Sequence, residues 1–284
     1  MKIILVITNS KGKKVGFIAD NGQLLTLQEA IAATEKGLFE HVRILKTKTG
    51  IFLRSNLNSL LEDNLNNMVV KYGIFFRNIK NEILENYLKN RSDNLEKKYS
   101  HGDLIYIDGI ARTYKPDVIS VISKNSDNIK MSARKYGIDP FILGSILIDE
   151  YCRRNIDDRA DFLAIFGTNT SVGLAQVKIA TARSMISQNI CKDEAFTASL
   201  SNKELYDYLV QEKYSIDFAA ARIRQIIDYW KKQKNVNINT RADVIGQVYS
   251  QGLGRPKENP IILDRGNQVK NEFYPLAQQI IKQS

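Results

Sequence analysis

Cysteine and histidine are scarce in this chain. Only two cysteines, Cys152 and Cys191, and two histidines, His41 and His101, occur among its 284 residues. Two thiols are too few for a disulfide framework in a protein of this size, and the four residues lack the spacing of a zinc site. We therefore expect no metal and no cofactor, and any catalysis would have to rest on carboxylates.

Long apolar segments and a signal peptide are also missing. No apolar run approaches the length of a membrane span, so we expect no transmembrane segment. The short run Ile3–Thr8 ends in polar residues, and no small-residue cleavage site follows it, so it predicts a β-strand. We expect a soluble chain made in the cytoplasm, which would reach the cell wall only by non-classical export, lysis or injection.

Positive charge exceeds negative charge without being concentrated anywhere. Lysine and arginine number 41 against 31 acidic residues, which gives a formal net charge of +10. This charge favours polyanions in general, so nucleic acid, anionic membrane and anionic cell-wall polymer remain candidate partners. Because no zinc finger, RNA-recognition signature or basic zipper is present, we expect no specific nucleic-acid partner. A solvated basic surface is the simplest interpretation.

Residues 1–62 predict a small β-rich domain with one helix. Thr26 and Glu29 form a capping-box pattern that opens the helix, which ends near Gly37. The β-branched and aromatic runs, separated by turn signals, are Ile3–Thr8, Val15–Ala19, Val42–Lys46 and Ile51–Arg54. The segment resembles a small domain of unknown function that is fused to many bacterial proteins. It is either an adaptor for a delivery machinery or carrier, or a folding cap.

The rest of the chain predicts a helical connector over residues 63–104 and a mainly helical domain over residues 105–284, so the fold class is α+β. In the connector, helical periodicity is followed by a polar loop and no strand signal is seen. Predicted helices cover Asn81–Asn90, Val118–Tyr136, the segment from Pro140 to Cys152, Ser215–Lys232 and the segment after a capping box at Thr240–Asp243.

Glu150 interrupts the apolar stripe of the helix that begins at Pro140. At helical spacing it shares one face with Ile142 and Ile146, so a carboxyl group occupies a position where the pattern favours an aliphatic side chain. An apolar surround disfavours the charged form of a carboxyl group and raises its pKa, which suits a proton donor near neutral pH. Glu150 is therefore a candidate general acid.

A structural role for Glu150 is the alternative. In that case the glutamate would be buried and paired with a nearby arginine, Arg153 or Arg154. The neighbouring Asp149 is most simply interpreted as a surface or capping acid.

A small-residue loop and a tyrosine block follow Glu150 in the chain. The loop is Ser171–Gln176 and the tyrosine block is Val248–Gly252. Together with Glu150 they resemble the lysozyme-like superfamily, specifically lytic transglycosylases and goose-type lysozymes. That family pairs a helix-terminal glutamate with a G-L-x-Q segment, often followed by T-A, and with a Y-N-x-G segment. The matching residues are Gly173, Leu174, Gln176, Thr181, Ala182 and Tyr249, whereas Ser250 replaces the usual asparagine.

The resemblance covers residues 105–284 and implies a muramidase that cleaves the β-1,4 bond between N-acetylmuramic acid and N-acetylglucosamine in peptidoglycan glycan strands. It implies Glu150 as general acid, with substrate-binding residues Ser171, Gly173, Leu174, Gln176 and Tyr249. An inverting hydrolase also needs a second carboxylate, for which Asp157, Asp158 and Asp161 are the candidates. A lytic transglycosylase, which we favour, uses the 6-hydroxyl of the substrate instead.

The missing signal peptide suggests a phage lysin or an antibacterial effector delivered by a secretion system, for which an inhibitor protein would be expected as a partner. The rival interpretation is a non-catalytic lysozyme-like protein that binds cell wall or another polyanion. That interpretation is favoured if Glu150 is ion-paired and no groove leads to it.

Overall fold

A computed structural model describes residues 1–8, 14–19, 24–47, 50–56, 65, 69–71, 81–154, 164, 171–253 and 262–284. Contacts within the chain define two compact units. One contains the described residues of Met1–Asn86 and Ile156–Thr170, and the other contains those of Tyr87–Asn155 and Ser171–Ser284. The finer boundaries at residues 62 and 104 stay predictions.

The described residues of the first unit form a small sheet, one helix and a separate hairpin. Its strands are β1 (Ile3–Thr8), β2 (Lys14–Ala19), β3 (Leu24–Thr26), β4 (Val42–Thr47), β5 (Gly50–Ser55) and β6 (Val69–Lys71), and its helix is α1 (Leu27–Glu35). The sheet has the order β3-β2-β1-β6, with β6 parallel to β1, and β4 pairs with β5. The predicted β-rich module is confirmed, although β3 and β6 were not predicted, and β6 contradicts the absence of strands in the connector.

Local chemistry explains where α1 begins and ends. The Thr26 hydroxyl accepts from the backbone N–H of Glu29 at 3.1 Å, and the Glu29 carboxylate accepts from the Thr26 N–H at 2.8 Å. This is the predicted capping box. After the helix, Gly37 has φ of 71°, a left-handed conformation that suits glycine. The core under the helix includes Val6 and Phe17, both fully buried.

The second unit is mainly helical. Its helices are α2 (Asn81–Lys98), α3 (Lys115–Lys124), α4 (Ser126–Tyr136), α5 (Pro140–Cys152), α6 (Ile179–Ser187), α7 (Asn202–Leu209), α8 (Glu212–Lys234), α9 (Ala242–Gln251), α10 (Asp264–Gln268) and α11 (Tyr274–Gln283), with a π-helical segment at Val269–Phe273. Two short antiparallel pairs join β7 (Leu104–Ile107) to β8 (Ile110–Tyr114) and β9 (Ser171–Val172) to β10 (Val177–Lys178). The predicted α+β class with a mainly helical domain is confirmed. None of the described helices is both long and apolar enough to cross a bilayer.

Three local predictions in this unit are wrong. The helix α2 does not stop at Asn90 but continues to Lys98. The predicted helix Val118–Tyr136 is two helices that meet at Asn125, whose amide side chain donates to the carbonyl of Val121 at 3.0 Å. The predicted capping box at Thr240 is absent, because α9 has no side-chain cap at its start and Asp243 binds Arg241 instead.

The β7–β8 hairpin was also not predicted, although its signal is visible. Asp108 and Gly109 form the turn, with φ of 53° and 75°. An Asp-Gly pair between apolar runs is typical of a type I′ hairpin.

Helix α5 is the centre of the second unit. Asp139 caps its start, because its carboxylate accepts from the N–H of Phe141 at 2.7 Å. From Ile142 to Ile148 every side chain is buried, and the helix contacts α3, α4, α8, α9 and α11. Gly144 permits the close approach of α11, since an added Cβ would lie 2.6 Å from the Ile281 side chain. The end of this rigid helix carries Asp149 and Glu150.

Candidate active site

Glu150 lies in the last turn of α5 and faces a cleft. Its side chain is 13% exposed. The cleft has a volume of about 330 Å³ and lies within the second unit. Its described lining is Glu150, Ser171, Gln176, Val177, Lys178, Thr181, Arg222, Tyr249, Ser250, Gln251, Gly252 and Arg265. The loop and the tyrosine block therefore meet the glutamate in one depression, as the resemblance implied.

Arg265 binds both acids at the end of α5. Its Nη2 donates to Glu150 Oε1 at 2.7 Å, and its Nε donates to Asp149 Oδ2 at 2.7 Å. Burial lowers the pKa of this guanidinium, but the two carboxylates outweigh burial and raise the pKa above its ordinary value. The glutamate is thus ion-paired with an arginine, although with neither Arg153 nor Arg154 as the structural alternative assumed.

Asp149 is a buried ion-pair residue, and its interpretation as a surface or capping acid is wrong. Its side chain is only 1% exposed. Arg153 Nε donates to Asp149 Oδ1 at 2.7 Å, while Arg265 donates to the other oxygen. Arg153 is itself held by Gln268, whose Oε1 accepts from Nη2 at 3.0 Å. Because a buried carboxylate is costly without partners, these two arginines account for the position of Asp149.

The sequence did not reveal Arg265, because no motif marks it and it lies 115 residues after Glu150. Helix α10 presents this arginine and packs closely against α9. An added Cβ on Gly266 would lie 2.4 Å from the carbonyl oxygen of Asp243, and the Gly266 N–H donates to Gln247 Oε1 at 3.3 Å. A short helix seated on α9 therefore brings Arg265 to the cleft.

The loop Ser171–Gln176 is a tight turn held at the carbonyl of Gly173. This oxygen accepts from the Gln176 side chain at 2.9 Å, from the Gln176 N–H at 3.3 Å and from Arg154 at 3.0 Å. Gly173 has φ of 72°, and an added Cβ would lie 1.8 Å from the carbonyl oxygen of Leu209. Glycine is therefore required at this position by the end of α7 as well as by the turn.

Tyr249 fastens the loop to α9. Its hydroxyl donates to the carbonyl of Ala175 at 2.9 Å, and the Ala175 N–H donates to Ser215 at 3.0 Å. Burial raises the pKa of the Tyr249 hydroxyl, and the charge of Glu150 raises it further. The tyrosine is therefore a neutral hydrogen-bond donor that lies within electrostatic range of the candidate acid.

The structure brings together some of the proposed site residues and separates others. Ser171, Gln176 and Tyr249 line the cleft with Glu150. Leu174 is 5% exposed and Gly173 forms the turn, and neither belongs to the described lining. Asp157, Asp158 and Asp161 lie outside the described residues. Over the described ranges, Glu150 is the one carboxylate of the lining, and no group of three or more metal-ligating side chains is found.

Comparison with known families decides the identity of the helical unit. Residues 81–228, just over half of the 284 residues, match the family described as T6SS, peptidoglycan muramidase Tse3, catalytic domain. The chain belongs to this family. It is a peptidoglycan muramidase, which is a lysozyme-like enzyme of the glycosidase type. The family consists of antibacterial effectors, and the chain is one of them. The predicted family resemblance, the muramidase activity and the interpretation as an antibacterial effector are confirmed.

The N-terminal module matches a second family. Residues 2–68 match the family described as protein of unknown function (DUF3892), which confirms the resemblance stated for this segment. No curated protein matches the chain. The muramidase match contains Glu150 and the loop but ends before Tyr249 and Arg265, so the structure alone places these two residues at the site.

The contact of Gly173 with α7 yields a stability prediction. Gly173→Ala would place a methyl group against the backbone of Leu209, which cannot move as freely as a side chain. Gly109→Ala is a matched control, because Gly109 has a similar φ of 75° and nothing lies within 4 Å of its added Cβ. We expect the control to cost about 1 to 2 kcal/mol and Gly173→Ala at least about 2 kcal/mol more. Urea unfolding followed by circular dichroism measures both, and equal losses would contradict the close approach.

Proposed function

We propose that Glu150 is the general acid of this muramidase and protonates the glycosidic oxygen between N-acetylmuramic acid and N-acetylglucosamine. The observation that carries the proposal is its position: the carboxyl group lies at the end of a buried helix, remains 13% exposed, and faces the cleft. A proton donor must be held within reach of the leaving oxygen, and a fixed helix end provides such a support. The ion pair that would favour a purely binding protein is present, but a cleft reaches the glutamate.

The ion pair with Arg265 is compatible with proton donation because Asp149 shares the arginine. When Glu150 is protonated, Asp149 keeps its bonds to Arg265 and Arg153, so neither guanidinium loses its carboxylate partner. Asp149 is enclosed by its two arginines, so Glu150 is the member of the pair that exchanges a proton with substrate. Arg265 is then a positioning residue that fixes the carboxyl group.

Ser171, Gln176 and Tyr249 are the proposed substrate-binding residues. Ser171 and Gln176 supply polar groups on the loop side of the cleft, and such groups bind the hydroxyl and acetamido groups of sugars. Tyr249 acts through the loop as well, since its hydroxyl holds the Ala175 carbonyl. Leu174 and Gly173 contribute by shaping the loop.

Replacing the acid gives the direct test. Glu150→Gln keeps an oxygen that accepts from Arg265 but cannot supply the proton, so we expect a loss of at least about 100-fold in the release of fragments from purified peptidoglycan. The fold should remain intact by circular dichroism. Glu194→Gln, on an exposed surface residue, is the matched control and should keep full activity. Near-full activity of Glu150→Gln would exclude Glu150 as the general acid.

We further propose that cleavage is a lytic transglycosylation. In that reaction one acid is sufficient, because the 6-hydroxyl of the substrate attacks the anomeric carbon and closes an anhydro ring. An inverting hydrolase instead needs a base carboxylate that activates water across the sugar ring. Asp149 is too buried for that task, and the described lining offers Glu150 alone. The three aspartates Asp157, Asp158 and Asp161 remain the candidates for a hydrolytic base.

Mass analysis of the products separates the two reactions. We expect muropeptides that end in 1,6-anhydro-N-acetylmuramic acid, which are lighter by one water than the products of hydrolysis. Digestion in water enriched in ¹⁸O is the internal control, because hydrolysis incorporates the label and transglycosylation does not. Labelled reducing ends would show that the enzyme is a hydrolase, and the three aspartates would then be the candidates for its base.

We propose that residues 1–62 serve delivery, by engaging a secretion machinery or carrier that brings the enzyme to the cell wall. The support is the match of this segment to a separate family and the absence of an expected catalytic role for it. Deletion of residues 1–62 should abolish killing of neighbouring cells while purified enzyme still cleaves peptidoglycan. Unchanged killing would refute the adaptor role. An inhibitor protein in the producing cell is expected on the same grounds.

A further inference from the structure

Arg222 is a half-buried cation that faces the same cleft. It lies on α8, lines the cleft and is only partly exposed. Its Nη1 donates to Gln225 Oε1 at 2.5 Å, so its close side-chain partner is a neutral amide. Burial lowers the pKa of this guanidinium, and in the part of the chain that the structure describes no carboxylate lies within ion-pair distance of it.

A half-buried guanidinium without a carboxylate partner has an unfavourable free energy, which an anionic ligand would lower. A charge that loses water is stabilised by an opposite charge or a metal, and without one it is unfavourable. Two of the arginines near the catalytic acid, Arg153 and Arg265, each bind a carboxylate, whereas Arg154 donates to the backbone carbonyl of Gly173. Arg222 has no such carboxylate among the described residues, and its guanidinium is open to the cleft. That combination is typical of a group whose anionic partner arrives with the substrate.

The charge of the cleft lining also favours an anionic ligand. Lys178, Arg222 and Arg265 line the cleft, whereas Glu150 is the one acid among its described residues. Arg265 is occupied by Glu150 and Asp149, so Lys178 and Arg222 are the cations of the described lining that are available to substrate. The lining around the acid therefore favours an anion over a neutral sugar chain.

Arg222 is also close enough to the acid to act in the same binding event. The charges of Glu150 and Arg222 both act on the hydroxyl of Tyr249, with opposite effects on it. Arg222 and Glu150 are thus neighbours of one tyrosine in one cleft. When the scissile oxygen of a substrate lies at Glu150, the neighbouring groups of that substrate lie in the part of the cleft that contains Arg222.

We propose that Arg222, assisted by Lys178, binds a carboxylate of the glycan strand and so selects muramoyl-containing substrate over neutral polysaccharide. The inference rests on the proposed function of the cleft. The carboxylate has two sources, the lactyl group of a muramoyl residue without peptide, or the peptide attached to that group. N-acetylglucosamine carries no such charge. A guanidinium binds a carboxylate through two parallel N–H donors, which gives both affinity and orientation.

Binding measurements in the Glu150→Gln background test the inference without turnover. The probes are intact peptidoglycan, strands freed of peptide by an amidase, peptidoglycan with its carboxylates converted to amides, and chitin oligosaccharides. Arg222→Gln should weaken binding to a carboxylate-bearing probe by at least about tenfold and change binding to chitin less than about twofold. Arg222→Lys should retain part of the affinity.

Arg224→Gln is the matched control, because Arg224 lies two residues away on α8 and pairs with Asp228 instead of lining the cleft. It should leave all four affinities unchanged. Loss on intact strands alone assigns the peptide carboxylates, and loss on freed strands assigns the lactyl group. Equal weakening on all probes, or none, overturns the inference. Failure of this inference is distinguishable from failure of the proposed function, because cleavage of peptidoglycan by the enzyme with Arg222 and Glu150 intact is measured separately.

Discussion

The site depends on one guanidinium that is shared by two adjacent carboxylates. Arg265 holds Asp149 and Glu150 at the end of α5, and Arg153 supports Asp149 from the other side. Two like charges side by side in a mostly buried place are unfavourable unless cations compensate them. The pairing of α10 with α5 therefore keeps the acid in place and leaves it open to the cleft.

A second set of contacts gives the opposite wall its shape. The loop Ser171–Gln176 turns over Gly173, whose carbonyl collects three hydrogen bonds, while Tyr249 holds the Ala175 carbonyl. In these contacts the side chains of Arg154, Gln176 and Tyr249 donate to backbone carbonyls of the loop, so two of the proposed substrate-binding residues also fix the loop geometry. The resemblance to lysozyme-like enzymes lies in this arrangement of acid, loop and tyrosine, and the family match to a peptidoglycan muramidase agrees with it.

Features that depend on neighbouring residues were accessible from the sequence. The capping box at Thr26, the acid cap at Asp139 and the misfit of Glu150 in an apolar stripe are local patterns, and the structure contains each of them. Features that depend on distant residues were not. Arg265 reaches Glu150 across 115 residues, and the burial of Asp149 follows from that approach. Sequence periodicity gives the face of a helix but not which later segment packs against its end.

The predictions that missed the break at Asn125 and the extension of α2 to Lys98 were wrong for a related reason. At Asn125 the side chain donates to the Val121 carbonyl, and beyond Asn90 the α2 side chains of Arg91 and Ser92 bond to the backbone of Arg154 and Ala111, contacts that intrinsic propensity does not reveal. The hairpin at Asp108 and Gly109 is different, because a turn signal is present in a stretch for which no element was predicted.

The separation of Arg265 from α5 has a consequence for the order of folding. While the chain emerges from the ribosome, Asp149 and Glu150 are synthesised long before the arginine that neutralises them both. Until α10 docks, the two adjacent acids lack the guanidinium that they share in the folded enzyme. The working geometry of the acid is thus completed late in synthesis, and a nascent enzyme that stops short of residue 265 has an unfinished active centre.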